Sequence, residues 1–212
     1  MMLTLYYSPA TAGMVVHWLL IELGAPHRLH KLDFEAREQK SPEYLKINPA
    51  GVVPALVLDD GMALCEAAAI TMHLADSHPE AGFAPTPGTP ERAQYYQWMF
   101  FMANTLQPAY RAWFYPSEPA GEANIEASKE RAREVVETAW ERVATHLSAK
   151  GPYLLGAKIS AADFFMTMLM RWSRNMPKPA HTLPALGAHA QLMKARPAFK
   201  EVYAREGLTD WT

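Results

Sequence analysis

The chain contains one cysteine, Cys65, in 212 residues. A single thiol excludes an intramolecular disulfide framework and is typical of a reducing compartment, so we expect a cytoplasmic protein. Motifs for a metal site are also missing: there is no His-Glu-x-x-His sequence, and the pair His27 and His30 has no third ligand nearby in the chain. We therefore expect no metal.

Strong charge and long apolar runs are absent as well. The net charge is −2, and acidic and basic residues are mixed along the chain, which argues against a nucleic-acid partner. No stretch approaches the roughly 20 apolar residues that span a bilayer. Residues 1–7 lack the basic region of a signal peptide, and no glycine-rich phosphate loop is present. The sequence thus predicts neither a membrane partner nor a nucleotide phosphate site.

The first 76 residues predict a small mixed sheet covered by helices, in the order β-α-β-α-β-β-α. Segments rich in strand formers alternate with helical segments, and prolines or glycines punctuate the chain between them. The pair Asp60-Gly61 is a strong hairpin signal. The predicted elements are strands over 3–8, 27–33, 55–58 and 62–64, and helices over 11–23, 41–48 and 66–76.

The pattern changes after residue 77. Residues 77–90 hold four prolines and two glycines, which is typical of a boundary between domains. We predict a first domain over 1–78, a linker over 79–89 and an all-helical domain over 90–212. Its predicted helices run from 90 to 115 with a bend at Pro108, from 122 to 148, from the Ser160–Asp163 capping box, from 184 to 195 and from 197 to 205.

Pro54 occupies an unusual place among strand-forming residues. A trans proline there would remove a ladder donor. A cis Val53-Pro54 bond in a tight bend would instead leave the backbone N–H and C=O of Val53 available to an extended, peptide-like ligand. An ordinary proline at a strand edge is the alternative, and spacing alone does not choose between them.

Taken together, these motifs resemble those of a cytosolic glutathione transferase. The resemblance covers essentially the whole chain, and the spacing of the first thirty residues is most similar to the bacterial beta class. It implies a thioredoxin-like domain followed by a helical-bundle domain. The motifs that carry it are Tyr6-Tyr7-Ser8-Pro9, Glu22-Leu23-Gly24, Asn48-Pro49 through Val53-Pro54-Ala55-Leu56, Glu66 with Ile70, and Gly156 through Asp163.

The resemblance also implies a glutathione site. Val53, beside Pro54, would pair its backbone with the cysteinyl part of glutathione. Glu66 and the amide of Ala67 would hold the γ-glutamyl end at a helix N-terminus, where free N–H groups favour a carboxylate. The family usually has Ser or Thr after this Glu. The missing hydroxyl at Ala67 predicts binding weakened by roughly 1.5 to 3 kcal/mol.

Other contacts implied by the resemblance lie elsewhere in the chain. Asn104 and Thr105 would complete the γ-glutamyl site across the interface of a homodimer, or they are solvated polar residues of a helix face. The glycine carboxylate would need a cation. The candidates are Arg37, Lys40 and Lys46, and the sequence does not choose among them.

Two departures from the beta class concern the thiol chemistry. Ala12 stands where that class has a cysteine, and Gln107 stands where it has a histidine, so mixed-disulfide chemistry through that cysteine is excluded. A hydroxyl that donates a hydrogen bond to the glutathione thiolate remains as the means of activation. The candidate catalytic residues are Ser8, Tyr7 and Thr11, although Thr11 is also suited to cap a helix.

The expected activity is conjugation of the glutathione thiolate to a hydrophobic electrophile. The second substrate would lie in a pocket between domains lined by Tyr110, Trp113 and Phe114, unless this aromatic stripe is plain core. Two alternatives remain open. One is a non-catalytic binding protein of the same fold, and the other is a glutathione-dependent isomerase or dehalogenase.

Overall fold

The computed structural model describes residues 2–211; Met1 and Thr212, the outer limits of the two predicted domains, lie outside the described residues. The described chain divides into two compact units. The first unit comprises residues 2–84 and Lys194–Asp210, and the second comprises Pro85–Met193 and Trp211.

The boundary between the units, at Ala84 and Pro85, falls within the linker predicted over 79–89. The predicted end of the helical domain differs from the observed one. Lys194–Asp210 belongs to the first unit, although it follows the helical segment in the chain. Its position in the chain suggested the helical domain, whereas its packing places it in the first unit.

The first unit holds a mixed four-stranded sheet in the order β2-β1-β3-β4. Strand β2 is parallel to β1, and the β1–β3 and β3–β4 pairs are antiparallel. This confirms the predicted β-α-β-α-β-β-α order and places the polar strand β2 at an edge. The elements are β1 Leu3–Tyr7, α1 Gly13–Glu22, β2 His27–Lys31, α2 Pro42–Leu45, β3 Ala55–Val57, β4 Ala63–Cys65 and α3 Ala67–Ser77, with 3₁₀ turns at Glu38–Lys40 and Pro79–Ala81.

A tenth helix, α10 Pro197–Glu206, completes this unit. Helix α1 is buried from Gly13 to Leu20, so it needs apolar partners on more than one side. The sheet and α3 supply some of them, and α10 supplies another, with the Trp18 and Phe199 rings 5.0 Å apart edge to face. This packing explains why the last helix belongs with the sheet.

The second unit is helical. Its helices are α4 Pro90–Phe101, α5 Gln107–Phe114, α6 Ser117–Ala120, α7 Ile125–Lys150, α8 Ala161–Trp172 and α9 Pro184–Lys194, with 3₁₀ turns at Glu122–Asn124 and Ala180–Thr182. The single helix predicted over 90–115 is interrupted by a π-helical segment, Met102–Leu106. Pro108 lies two residues after the end of this segment, and because it lacks an N–H and crowds the carbonyl four residues earlier, regular α-helix is not continued through residues 102–106.

The core of this unit is helix α8, which is buried from Ala161 to Arg171. The predicted capping box is present: the Ser160 N–H and hydroxyl both donate to Asp163, at 2.8 and 2.9 Å. The buried face of α7 includes Ala132, Val136 and Val143, whereas Val135 is half-buried.

Within residues 2–211, no helix combines the length and the apolar character needed to cross a membrane.

Candidate functional site

Three chain segments meet at one edge of the sheet in the first unit, where strands begin or end. Strand β1 runs antiparallel to β3, and β3 runs antiparallel to β4, with Tyr6 opposite Ala55 and Ala55 opposite Cys65. The end of β1, the start of β3 and the end of β4 therefore lie side by side. Val53 lies two residues before Ala55, Ser8 two residues after Tyr6, and Ala67 two residues after Cys65, so these three predicted site residues lie close to this edge.

The Val53-Pro54 bond is cis, as predicted. Val53 precedes β3 and is half-buried. No hydrogen bond among residues 2–211 engages its backbone N–H or C=O outside the strand ladders. An extended ligand could therefore pair with this residue in the manner of an added strand.

Asn48 holds the turn that precedes Val53. Its side chain is buried and donates to the Val52 carbonyl at 2.7 Å, and the Tyr44 hydroxyl donates to the same carbonyl at 2.7 Å. The Asn48 side-chain oxygen accepts from the Ala50 N–H at 3.1 Å. Asn48 was part of a motif of the family resemblance, but it was not predicted to support this turn. Its signal was the Asn-Pro pair, because an asparagine side chain readily satisfies the backbone of a following turn.

Helix α3 begins at this edge with an open N-terminus. Glu66 is its N-cap residue and has φ 71° and ψ 113°, an uncommon conformation for a side chain other than glycine. The Glu66 side chain is exposed and makes no capping bond. The first N–H groups of α3 are thus available to an anion. Ala67, the first residue of the helix, is only 2% exposed.

The three candidate hydroxyls differ in what they already bind. Thr11 donates its hydroxyl to the Ser8 carbonyl at 2.6 Å and accepts from the Gly13 N–H at 3.3 Å. Its proton is therefore already used in closing the loop between β1 and α1. The Ser8 hydroxyl has no hydrogen-bond partner among the described residues, and Ser8 is half-buried. Ser8 is accordingly free to donate to a ligand.

Tyr7 is placed differently from Ser8. Its side chain is 5% exposed, and its ring centroid lies 5.4 Å from that of His17 in helix α1. Burial and the nearby Glu206 carboxylate raise the pKa of Tyr7 above its usual value. A phenol of raised pKa is a poorer donor to a thiolate. The structure thus favours Ser8 over Tyr7.

Ser8 and Pro9 also line a groove of about 500 Å³, which is closed on its other side by residues 31–35. Those residues follow the end of β2 at the same edge of the sheet, and Leu32 donates its N–H to the Tyr7 carbonyl at 2.8 Å. Among the three candidate cations, Lys40 contacts the turn before Val53, since its Nζ donates to the Ala50 carbonyl at 3.2 Å. Lys40, Arg37 and Lys46 are all exposed.

Cys65 ends strand β4 directly before Glu66. Burial and the Glu66 charge raise the pKa of this thiol, so it is less reactive than a typical cysteine. It packs with Val53 against a small apolar cluster that contains Leu32, Tyr44 and Ala55.

Among residues 2–211 no group of three or more His, Cys, Asp or Glu side chains could hold a metal ion.

The remaining predicted residues lie in the second unit. Asn104 and Thr105 are in the π-helical segment and line a groove of about 460 Å³ together with residues of α5, α6 and α7. Asn104 is exposed and Thr105 is half-buried. Gln107 begins α5, and Ala12 precedes α1 in the other unit.

The predicted aromatic pocket needs one correction. Tyr110 is fully buried, and its hydroxyl accepts a hydrogen bond from Trp140 Nε1 at 2.8 Å. Burial raises the Tyr110 pKa strongly. It is a core residue, because its hydroxyl binds Trp140 and its ring packs against Trp172, both in the second unit. Trp113 is half-buried under the Lys129 ammonium, 5.1 Å from the ring centroid, and Phe114 is 47% exposed.

Comparisons with known proteins show the family of this chain. Residues 1–76 match the model of the glutathione S-transferase N-terminal domain, and residues 126–205 match that of the C-terminal domain. A glutathione S-transferase of Xanthomonas campestris, GST-4.5, is 33% identical over 205 residues, which are 96% of this chain and 98% of that protein. The chain belongs to the glutathione S-transferase family.

Solved structures of the family have the same fold. A glutathione transferase homologue from Sulfitobacter with bound glutathione is 30% identical with a TM-score of 0.89, covering 98% of this chain and 99% of that one. A beta-class glutathione S-transferase of Sphingomonas chungbukensis is 28% identical with a TM-score of 0.84, covering 97% and 100%. The resemblance to bacterial beta-class transferases is thereby confirmed.

Proposed function

We propose that this glutathione S-transferase homologue conjugates the thiolate of glutathione to a hydrophobic electrophile, with Ser8 as the hydroxyl that activates the thiol. The observation that carries the proposal is the unengaged backbone of Val53, which lies at the same edge of the sheet as the free hydroxyl of Ser8 and the open N-terminus of α3. A γ-glutamyl peptide with a central cysteine fits this order of groups.

The chemistry follows from the positions. The Val53 N–H and C=O would pair with the cysteinyl backbone, and the first amides of α3 would bind the γ-glutamyl carboxylate. The thiol is then held near Ser8, whose donated hydrogen bond stabilises the thiolate and lowers the thiol pKa. The thiolate attacks an electrophilic carbon, a C–S bond forms, and the leaving group departs with the bonding electrons.

The proposal extends to assembly and location. Support for a homodimer comes from Asn104 and Thr105, which lie on an accessible groove where a second copy could use them to complete the γ-glutamyl site. The single unpaired Cys65 suits a cytoplasmic location. Lys40 is the cation that we assign to the glycine carboxylate.

Glutathione titration tests the binding step. A ligand at about 100 times its dissociation constant stabilises a protein by roughly 2.7 kcal/mol. We expect the thermal unfolding midpoint of the wild-type protein to rise with glutathione, and no rise at tens of millimolar would end the proposal. A rise without turnover of any aryl halide would favour the non-catalytic binding protein, for which the missing hydroxyl at Ala67 is the supporting observation.

Substitution of the hydroxyls tests the catalytic step. Ser8→Ala removes a hydrogen bond to a charged group, worth about 1.5 to 3 kcal/mol, so kcat/KM for an aryl halide falls about ten- to hundredfold. Tyr7→Phe is the matched control and changes kcat/KM less than twofold. The assignment of Ser8 is wrong if the Tyr7 variant loses activity and the Ser8 variant keeps it.

A further inference from the structure

Helix α10 carries a buried carboxylate that neither glutathione binding nor thiol activation uses directly. Glu206 is the last residue of α10, and its side chain and that of His17 are both 0% exposed. His17 Nδ1 lies 2.9 Å from Glu206 Oε1. An ionised carboxylate only accepts hydrogen bonds, so with Glu206 ionised the Nδ1 atom carries the proton.

The second oxygen of this carboxylate reaches the loop that carries Ser8. Glu206 Oε2 accepts a hydrogen bond from the Ala10 N–H at 2.9 Å, across 196 positions of sequence. Ala10 has φ 61°, in the left-handed region that a residue with a Cβ adopts only when its surroundings hold it there. The carboxylate thus contacts the most strained residue of the loop between β1 and α1.

The position of Glu206 on its own helix is unfavourable. A negative charge at a helix C-terminus opposes the macrodipole, and burial of a carboxylate is costly unless hydrogen bonds satisfy it. Its contacts with His17 and Ala10 must offset both effects. Thr11 already closes one side of the loop through the Ser8 carbonyl, so Glu206 and Thr11 together hold residues 8–11 from two directions.

We propose that Glu206 is a positioning residue for thiol activation: held by His17, it keeps Ala10 in its left-handed conformation and so keeps the Ser8 hydroxyl directed at the substrate thiol. This inference rests on the proposed function. It assigns a role in the reaction to a residue at the far end of the chain that does not touch the substrate.

The test combines two variants with a matched control. Glu206→Leu removes both hydrogen bonds, and Glu206→Gln keeps an acceptor for Ala10. Glu22→Leu is the control. Glu22 accepts from Nε of Arg196, the N-cap residue of α10, at 3.1 Å and so also ties α10 to α1, but no hydrogen bond among residues 2–211 joins it to the loop. All three proteins are compared at equal fractions folded, established by thermal unfolding.

We expect Glu206→Leu to lower kcat about tenfold with the glutathione dissociation constant changed less than twofold, and to raise the apparent pKa of the bound thiol measured by thiolate absorbance. Hydrogen exchange of the loop amides should rise in the same variant without glutathione. Glu206→Gln should retain more than half of kcat, and Glu22→Leu should leave kcat and the thiol pKa unchanged.

A rescue experiment separates positioning from simple stabilisation. Glycine adopts the left-handed conformation without strain, so Ala10→Gly in the Glu206→Leu background should restore most of the lost kcat without restoring the unfolding midpoint. Unchanged kcat and thiol pKa in Glu206→Leu, or an equal loss of kcat in Glu22→Leu, would overturn the positioning role alone. A wild-type protein that does not bind glutathione would overturn it together with the proposed function.

Discussion

Ala67→Ser should tighten glutathione binding. Ala67 is the first residue of α3, and the proposed γ-glutamyl carboxylate binds at this helix N-terminus. A serine hydroxyl there adds one hydrogen bond to a charged group, worth about 1.5 to 3 kcal/mol. Since 1.4 kcal/mol is tenfold in affinity, the dissociation constant should fall about ten- to hundredfold.

The free protein should show the opposite effect. Ala67 is 2% exposed, so without ligand the new hydroxyl is largely removed from water. An unsatisfied buried hydroxyl costs about 1 to 3 kcal/mol, and the free energy of unfolding should decrease accordingly. Glutathione satisfies the hydroxyl and should reverse this loss.

Isothermal titration calorimetry measures the affinity, and denaturant unfolding with and without glutathione measures the stability. Ala69→Ser is the matched control: it adds a hydroxyl to the same turn of α3 at an exposed position, and it should change neither quantity by much. Lower stability of Ala67→Ser without tighter binding would show that the side chain points into the core, and it would refute the placement of the γ-glutamyl group.

Three further predictions concern the turn before Val53, the core of the second unit and the titration of Tyr44. Asn48→Ala removes two hydrogen bonds from the turn before Val53, one of them to the Val52 carbonyl; urea unfolding should show a loss of about 1 to 3 kcal/mol, and calorimetry should show weaker glutathione binding, whereas unchanged affinity would separate this turn from the site. Tyr110→Phe leaves the Trp140 N–H without its acceptor and should destabilise the protein by about 1 to 3 kcal/mol with kcat/KM unchanged. A loss of activity without a loss of stability would indicate that Tyr110 lines the substrate pocket. Burial raises the pKa of Tyr44 from 10.0 to about 12, so the stability that this group contributes is fully present below pH 10 and is lost as the pH rises through about 12. Over this pH range the free energy of unfolding should fall less steeply for Tyr44→Phe than for the wild type. Parallel pH profiles of the two proteins would contradict the raised pKa.

Local features of the sequence predicted much of the fold. The order of strands and helices followed from periodicity and from proline and glycine signals, and the Ser160 capping box was read from a few neighbouring residues. The bond before Pro54, which is cis, was left open between two alternatives by the spacing alone. One error also arose from a local feature, the proline at position 108. The sequence could not show that a π-helical segment would precede Pro108, because several distortions can accommodate an interior proline.

The sequence by itself determined the family and the two-part architecture, because both depend on short segments with their own backbone preferences. Val53, Glu66 and Ala67 as glutathione contacts stay predictions. Only the tertiary structure decided which hydroxyl is free. Thr11 and Ser8 are nearly identical as sequence signals, and they differ because the Thr11 proton is donated to the Ser8 carbonyl. The structure likewise brought Glu206 to Ala10 and placed Tyr110 in a core. The contacts of Glu206 with Ala10 and of Tyr110 with Trp140 join residues far apart in the chain, and no local pattern encodes which distant partners will meet.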